Sequence, residues 1–226
     1  MIDWQGIPPE YQNQIVTGDA KELAERIPDK SISLIFTDPE YEKIEDYSWL
    51  AETALRVLKP GGSLLAFQWA AYMRETLNAL SPLKLEWILS LYIPNRSKDT
   101  RCKAGFNKWT PCLWLSRGDA KSPRVADLLQ CNAFQAVFND GSSNHEWSKS
   151  PEFYYYYTNA FTRSDSIVFD PFVGGGTAAA VCKMLRLNYI AFEIDPQKAE
   201  RAREKVKTTR EPLIVPEASQ FGIFED

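Results

Sequence analysis

The sequence is poor in the residues that most metal-dependent and covalent chemistries require. It has one histidine, His145, and four cysteines, Cys102, Cys112, Cys131 and Cys182, which lie far apart with no CxxC pair. That set offers no zinc-ligand spacing and no framework for disulfides, so neither metal nor disulfide is expected. Any Ser-His-Asp or Cys-His scheme would have to use His145, and no GxSxG turn supplies a nucleophile, which argues against hydrolases. Runs of eighteen apolar residues are also missing, and MIDWQGIPPEYQNQ has no basic stretch leading into an apolar one. Neither membrane insertion nor export is expected, and the reading is a cytoplasmic protein.

What is present suits one globular domain across 1–226: 44% of the 226 residues are apolar and 25% charged. The net charge of -4 disfavours a nonspecific coat for nucleic acid, but the charge is unevenly spread. From Tyr92 to Arg124, eight Lys and Arg face only Asp99 and Asp119, leaving +6 there and about -10 elsewhere. Residues 94–148 read as an insert or target-recognition region, where Arg96 to Lys108 with Phe106 and Trp109 would grip phosphates and stack bases. Residues 211–226 read as a tail.

The rest of the chain alternates strands with helices. Strands are expected at Gln14 to Thr17, Ser31 to Thr37, Ser63 to Gln68, Leu85 to Ile93, Cys112 to Leu115, Ser166 to Phe169 and Tyr189 to Ile194. Helices are expected over Ala20 to Arg26, around Trp49 to Leu58, Ala70 to Leu80, Pro151 to Phe161, Thr177 to Leu185 and Pro196 to Lys207, with Lys59-Pro-Gly-Gly62 as a helix stop. Ala120 to Ser148 shows little pattern. The alternation implies an α/β fold, a doubly wound and mostly parallel sheet.

Two segments carry chemistry. Asp170-Pro-Phe-Val-Gly-Gly-Gly-Thr177 lies between a strand and a helix, where glycines permit a tight turn and close approach of a ligand. Glu193, seventeen residues beyond Gly176 at the end of the next strand, is placed to accept hydrogen bonds from ribose hydroxyls. Together they describe a site for an adenosine-containing cofactor. Asp38-Pro39-Glu40-Tyr41 follows a buried strand and combines an acceptor, a rigid turn and an aromatic ring, a set that suits a planar base bearing an amino group. An exocyclic amine is a poor nucleophile because its lone pair is delocalised. Asp38 and the Pro39 carbonyl would accept its protons and localise that pair, while Tyr41 stacks on a base swung out of the duplex.

The pattern resembles the amino-group DNA methyltransferases, whose acceptor motif reads (D/N/S)-P-P-(Y/F) and whose cofactor motif reads D-P-F-x-G-x-G-T; here they are DPEY and DPFVGGGT. The acceptor motif comes first, as in the β group, so the fold implied is the Rossmann-like methyltransferase sheet in circularly permuted motif order. The resemblance spans about Gln14 to Lys207 and implies S-adenosyl-L-methionine as cofactor and double-stranded DNA as partner. It assigns Asp170, Phe172, Gly174, Gly176 and Thr177 to the cofactor turn and Asp19, of Gly18-Asp19, to the cofactor adenine. Lys149, of Lys149-Ser-Pro151, falls at the cofactor's methionine end and Glu193, of FEID, at its ribose. Asp38 in the first acceptor position favours adenine N6 over cytosine N4. Glu40 departs from the family's second proline, loosening the turn and adding a carboxylate near an anionic strand.

Rival readings are a catalytically silent nucleic-acid-binding or partner subunit, a methyltransferase acting on RNA, a free nucleotide or a protein amide, and a nicotinamide-dependent dehydrogenase. The short insert implies modest sequence recognition, or recognition shared across a homodimer. Cys112 reads as buried, Asp195 as a helix cap and the run Tyr154 to Tyr157 as packed.

Overall fold

The computed structural model describes Trp4 and residues 6–94, 108–119, 123–131 and 150–210. Most of the expected insert, including Phe106 and His145, together with Lys149 and the tail 211–226, lies outside the described residues.

Eight strands form one sheet: β1 (Gln14–Thr17), β2 (Ile32–Thr37), β3 (Leu58–Phe67), β4 (Lys84–Tyr92), β5 (Trp109–Ser116), β6 (Leu128–Gln130), β7 (Ile167–Asp170) and β8 (Asn188–Glu193). Their spatial order is β1-β8-β7-β2-β3-β5-β4-β6. All pairings are parallel except those of β5 with β3 and β4. The central strand β2 reads ISLIFT because both its faces are covered: Ile32, Leu34, Ile35 and Phe36 are fully buried.

Helices α1 (Ala20–Leu23), α2 (Ile44–Val57) and α3 (Met73–Ala79) close one face, and α4 (Pro151–Phe161), α5 (Thr177–Met184) and α6 (Pro196–Thr208) close the other. On α2, Tyr47, Leu50, Ala51, Ala54 and Val57 recur at helical spacing and fill the first core with Ile35, Leu64 and Phe169. On α4 all four tyrosines are buried. Tyr154 packs on Phe36, Tyr157 donates its hydroxyl to Ala126 O, and Tyr156 Oη accepts from Ala126 N. Asp195 caps α6 by accepting from the Gln197 and Lys198 amides.

The chain winds outward in both directions from the centre. The β2–α2–β3 unit moves toward one edge and β7–α5–β8 toward the other, so the switch point lies between the carboxyl ends of β2 and β7. These strands are far apart in sequence, and their adjacency expresses the permuted order.

Four local expectations are corrected. Lys59-Pro-Gly-Gly62 does not separate helix from strand, because β3 begins at Leu58, opposite Ile32, and residues 59–62 bulge against Ser33 before pairing resumes at Ser63. Gly61 takes φ +76°, and backbone bonds from Gly61 N to Arg117 O and from Arg117 N to Gly62 O hold the bulge. Strand β5 starts at Trp109, three residues before the expected Cys112, so Trp109 of the expected insert lies on the sheet. The short strand β6, with one buried residue, lies in a segment read as unpatterned. The expected helix Ala20 to Arg26 divides into α1 and a 3-10 turn, Ala24–Arg26. Among the described residues, no helix is long and apolar enough to cross a membrane.

The junction of α5 with α6 turns on one glycine. Gly176 has φ +79°, and a Cβ there would sit 2.9 Å from the Cα of Ala202; at Gly175 a Cβ would meet open space. Gly176→Ala should therefore cost on the order of 2–4 kcal/mol in chemical denaturation, from left-handed strain plus overpacking. Gly175→Ala should stay within about 1 kcal/mol of wild type.

Candidate active site

Five strands deliver polar side chains to one edge of the sheet. β7 ends at Asp170, which is 4% exposed. Its Oδ1 accepts from Thr37 Oγ1 at 2.7 Å, a bond that joins the ends of β7 and β2, and from the Phe172 amide at 3.1 Å. Burial pushes the Asp170 carboxyl up to about 7; the two hydrogen bonds oppose the rise, and the carboxylates of Asp38 and Glu193 add to it.

The glycine turn follows. Gly174 has φ +50°, and its amide donates to Glu193 Oε2 at 2.9 Å, while Glu193 Oε1 accepts from Asp195 N at 3.0 Å. Glu193, 7% exposed, is thus fixed by two backbone donors on either side of the β8 terminus. Gly18 N donates to Glu193 O, which sets Asp19 beside this strand end, where its side chain caps α1 through the Lys21 amide at 2.8 Å. Phe172 packs edge-on against Trp49 of α2 at 5.8 Å. Thr177 opens α5, and its hydroxyl accepts from Lys205 Nζ at 2.9 Å.

The acceptor turn stands across the switch point. Pro39 is buried and Asp38 half-buried, and the Tyr41 hydroxyl donates to Asp38 Oδ1 at 2.8 Å. Burial, reinforced by that carboxylate, keeps the Tyr41 phenol well above its ordinary pKa, so it remains a protonated donor. Glu40, the departure from the family pattern, points outward and pairs with Lys43 at 3.1 Å, while Lys43 N donates to Glu40 O. This backbone bond spans the turn in which Glu40 stands at the position of the family's second proline.

The structure therefore gathers Asp19, Asp38, Pro39, Tyr41, Asp170, Phe172, Gly174, Gly176, Thr177 and Glu193 along one edge; Lys149 lies outside the described residues. Sequence reasoning missed Gln68. It is fully buried at the end of β3, donates from Nε2 to Thr76 Oγ1 and to Tyr41 O at 3.4 Å, and accepts from Trp69 N at 2.6 Å. A polar residue closing an apolar strand was the available signal.

Comparison with known proteins gives the class. The DNA methylase family, that of the N6-adenine and N4-cytosine enzymes, matches residues 90–204, about half of the chain. The chain belongs to this family, the amino-group DNA methyltransferases, whose members take their methyl group from S-adenosylmethionine. It is 24% identical to the Type II methyltransferase M.HinfI of Haemophilus influenzae, over 88% of this chain and 69% of that protein. It is also 24% identical to the Type II methyltransferase M.BamHI of Bacillus amyloliquefaciens, over 89% of this chain and 59% of that protein. It thus spans well short of the full length of these relatives. The fold matches that of M1.HpyAVI in complex with S-adenosylmethionine (TM-score 0.73, 19% identity, 85% of this chain and 98% of that one). It also matches the cytosine-N4-specific PvuII DNA methyltransferase (TM-score 0.71, 20% identity, 84% and 85%).

Asp170 gives this site a pH signature. A carboxyl whose pKa is about 7 folded and about 4 unfolded holds more protons in the native state between those values, so stability falls as pH rises from about 4 to about 7 and then levels. Asp170→Asn keeps an acceptor for Thr37 and Phe172. In urea titrations the variant should gain on wild type across that window and end on the order of 2–4 kcal/mol more stable above pH 7.

Proposed function

We propose that this protein transfers a methyl group from S-adenosylmethionine to the N6 amine of an adenine extruded from double-stranded DNA. The observation that supports the reading is the Thr37–Asp170 hydrogen bond, which joins the end of β2, where the acceptor turn begins, to the end of β7, where the glycine turn begins.

The residues fit the cofactor. A Cβ at Gly175 would meet nothing within 4 Å and one at Gly174 only Phe172 O at 3.9 Å, so the turn leaves its outer face open to a ligand. Asp38, Asp170 and Glu193 raise the negative potential together, which favours a ligand carrying positive charge. In this reading Asp170 and the turn from Phe172 through Gly174 and Gly176 to Thr177 hold the amino-acid end, to which the family resemblance also assigns Lys149. Glu193 accepts from the ribose, and Asp19 with Phe172 borders the adenine. The bound cofactor supplies an electrophilic methyl on a sulfonium.

On the acceptor side, Asp38 and the Pro39 carbonyl accept the two amine protons and return lone-pair density to the nitrogen. Tyr41 supplies the ring face that holds the base, and its hydroxyl orients the Asp38 carboxylate. The nitrogen would take the methyl in one displacement as the carbon–sulfur bond breaks and a neutral thioether leaves, and the surplus amine proton would pass to solvent, so no covalent enzyme intermediate is required. Support for adenine comes from Asp38 in the first acceptor position; support for DNA comes from the family and from the Type II relatives. Residues 94–148 would contact the duplex, with a homodimer sharing recognition.

The test is transfer of labelled methyl to mixed-sequence duplex DNA followed by digestion to nucleosides. Labelled N6-methyladenine is expected, with a loss of roughly 100-fold or more in Asp38→Ala. Tyr41→Phe should retain most activity, and Tyr41→Ala should lose about 5- to 150-fold in kcat/KM. Label only in N4-methylcytosine would reverse the base assignment, and no label in DNA would overturn the reading.

A further inference from the structure

Beyond the acceptor turn, two aromatic rings continue along the same edge. Trp69 follows β3, and its ring lies 5.0 Å from that of Tyr41, tilted by 58°. Tyr72 follows after Ala70 and Ala71, with its ring plane within 17° of Trp69 and the centroids 6.4 Å apart. Both rings are half-buried, and neither belongs to the two cores that hold the helices on the sheet. The alanines between them are exposed and add only methyl groups, and Arg74 is exposed on the first turn of α3.

The backbone beneath these rings is fixed. Gln68 ties the Trp69 amide to the Tyr41 carbonyl on one side and to Thr76 of α3 on the other. A buried amide whose donors and acceptor all serve this junction sets the rings at a defined place beside the acceptor turn.

We propose that Trp69 and Tyr72 form a second nucleobase subsite, which stacks a base of the DNA strand next to the target base. The inference rests on the reading that the substrate is a base in DNA. Extruding one base leaves its neighbours without a stacking partner, and an aromatic face replaces that partner whatever the base. Successive near-parallel rings, small residues between them and a nearby guanidinium match a nucleotide strand, in which planar bases alternate with phosphates.

The test combines photocrosslinking with kinetics. Mixed-sequence duplex DNA carrying 5-iodouracil in place of thymine is irradiated with the wild-type protein and the crosslinked peptides are mapped, while kcat/KM for DNA and Kd for S-adenosylmethionine are measured for Trp69→Ala, Trp69→Phe and Tyr72→Ala. Crosslinks at Trp69 or Tyr72 are expected, with kcat/KM for DNA lowered about 5- to 150-fold by each alanine, Trp69→Phe near wild type and the cofactor Kd unchanged. Phenylalanine separates loss of a stacking face from loss of fold. Methyl transfer by the wild type with crosslinks confined to other residues, or alanine variants of unchanged kcat/KM, would overturn the subsite alone. A wild type that neither methylates nor crosslinks DNA would overturn both this subsite and the proposed function.

Discussion

Thr37 and Asp170 come from distant parts of the chain, yet the hydroxyl of one donates to the carboxylate of the other inside the sheet edge. The arrangement of the site depends on this contact. It fixes the ends of β2 and β7 at the switch point, and it holds a carboxyl that is almost fully removed from water. Burying such a group is costly unless donors or cations compensate it. Here one hydroxyl and one amide do so in part, and two further carboxylates work against them, so the Asp170 pKa rises to about 7. The two oxygens of Glu193 accept from the backbone amides of Gly174 and Asp195. The crevice therefore combines one acidic group fixed by backbone donors with another whose charge is only partly offset.

The surrounding packing keeps that crevice in shape. Phe153 and Tyr154 of α4 pack against Phe36 and Phe67, side chains of the strands that end at the acceptor turn and at Gln68. On the opposite face, Tyr47 donates its hydroxyl to Phe67 O, tying α2 to the same strand end. Gly176 lets the start of α5 reach α6, and Lys205 returns a hydrogen bond from α6 to Thr177. These contacts act on strand ends or on the glycine turn that follows β7, so core packing and the geometry of this edge are set together.

Much of this was legible in the sequence because its causes are local. A strand buried on both faces reads as ISLIFT wherever it pairs, and a strand, glycine turn and helix announce themselves in DPFVGGGT. Glu193 was read from its spacing beyond the glycine turn, its place at the end of the next strand and its FEID context. Gln68 and Trp69 were not legible, since they meet Tyr41 only when β3 comes to lie beside β2, and Tyr72 is reached only through Trp69. The bulge at residues 59–62 was missed for a similar reason: Arg117, on a distant segment, makes those residues part of a strand. The carboxylate of Glu40 faces Lys43 and solvent, and the hydrogen bond between Tyr41 and Asp38 stands beside it.

On the proposed reading, the carboxyl ends of β2 and β7 receive a cationic adenosyl cofactor beside Asp170. The most direct measurement is calorimetric titration of the protein with S-adenosylmethionine between pH 6 and 8, in buffers of different ionisation enthalpy. A cation brought near Asp170 lowers its pKa, so binding should release a fraction of a proton near pH 7, and the Asp170→Asn variant should bind without that release. Binding with no proton release, or with the same release in the variant, would contradict the claim.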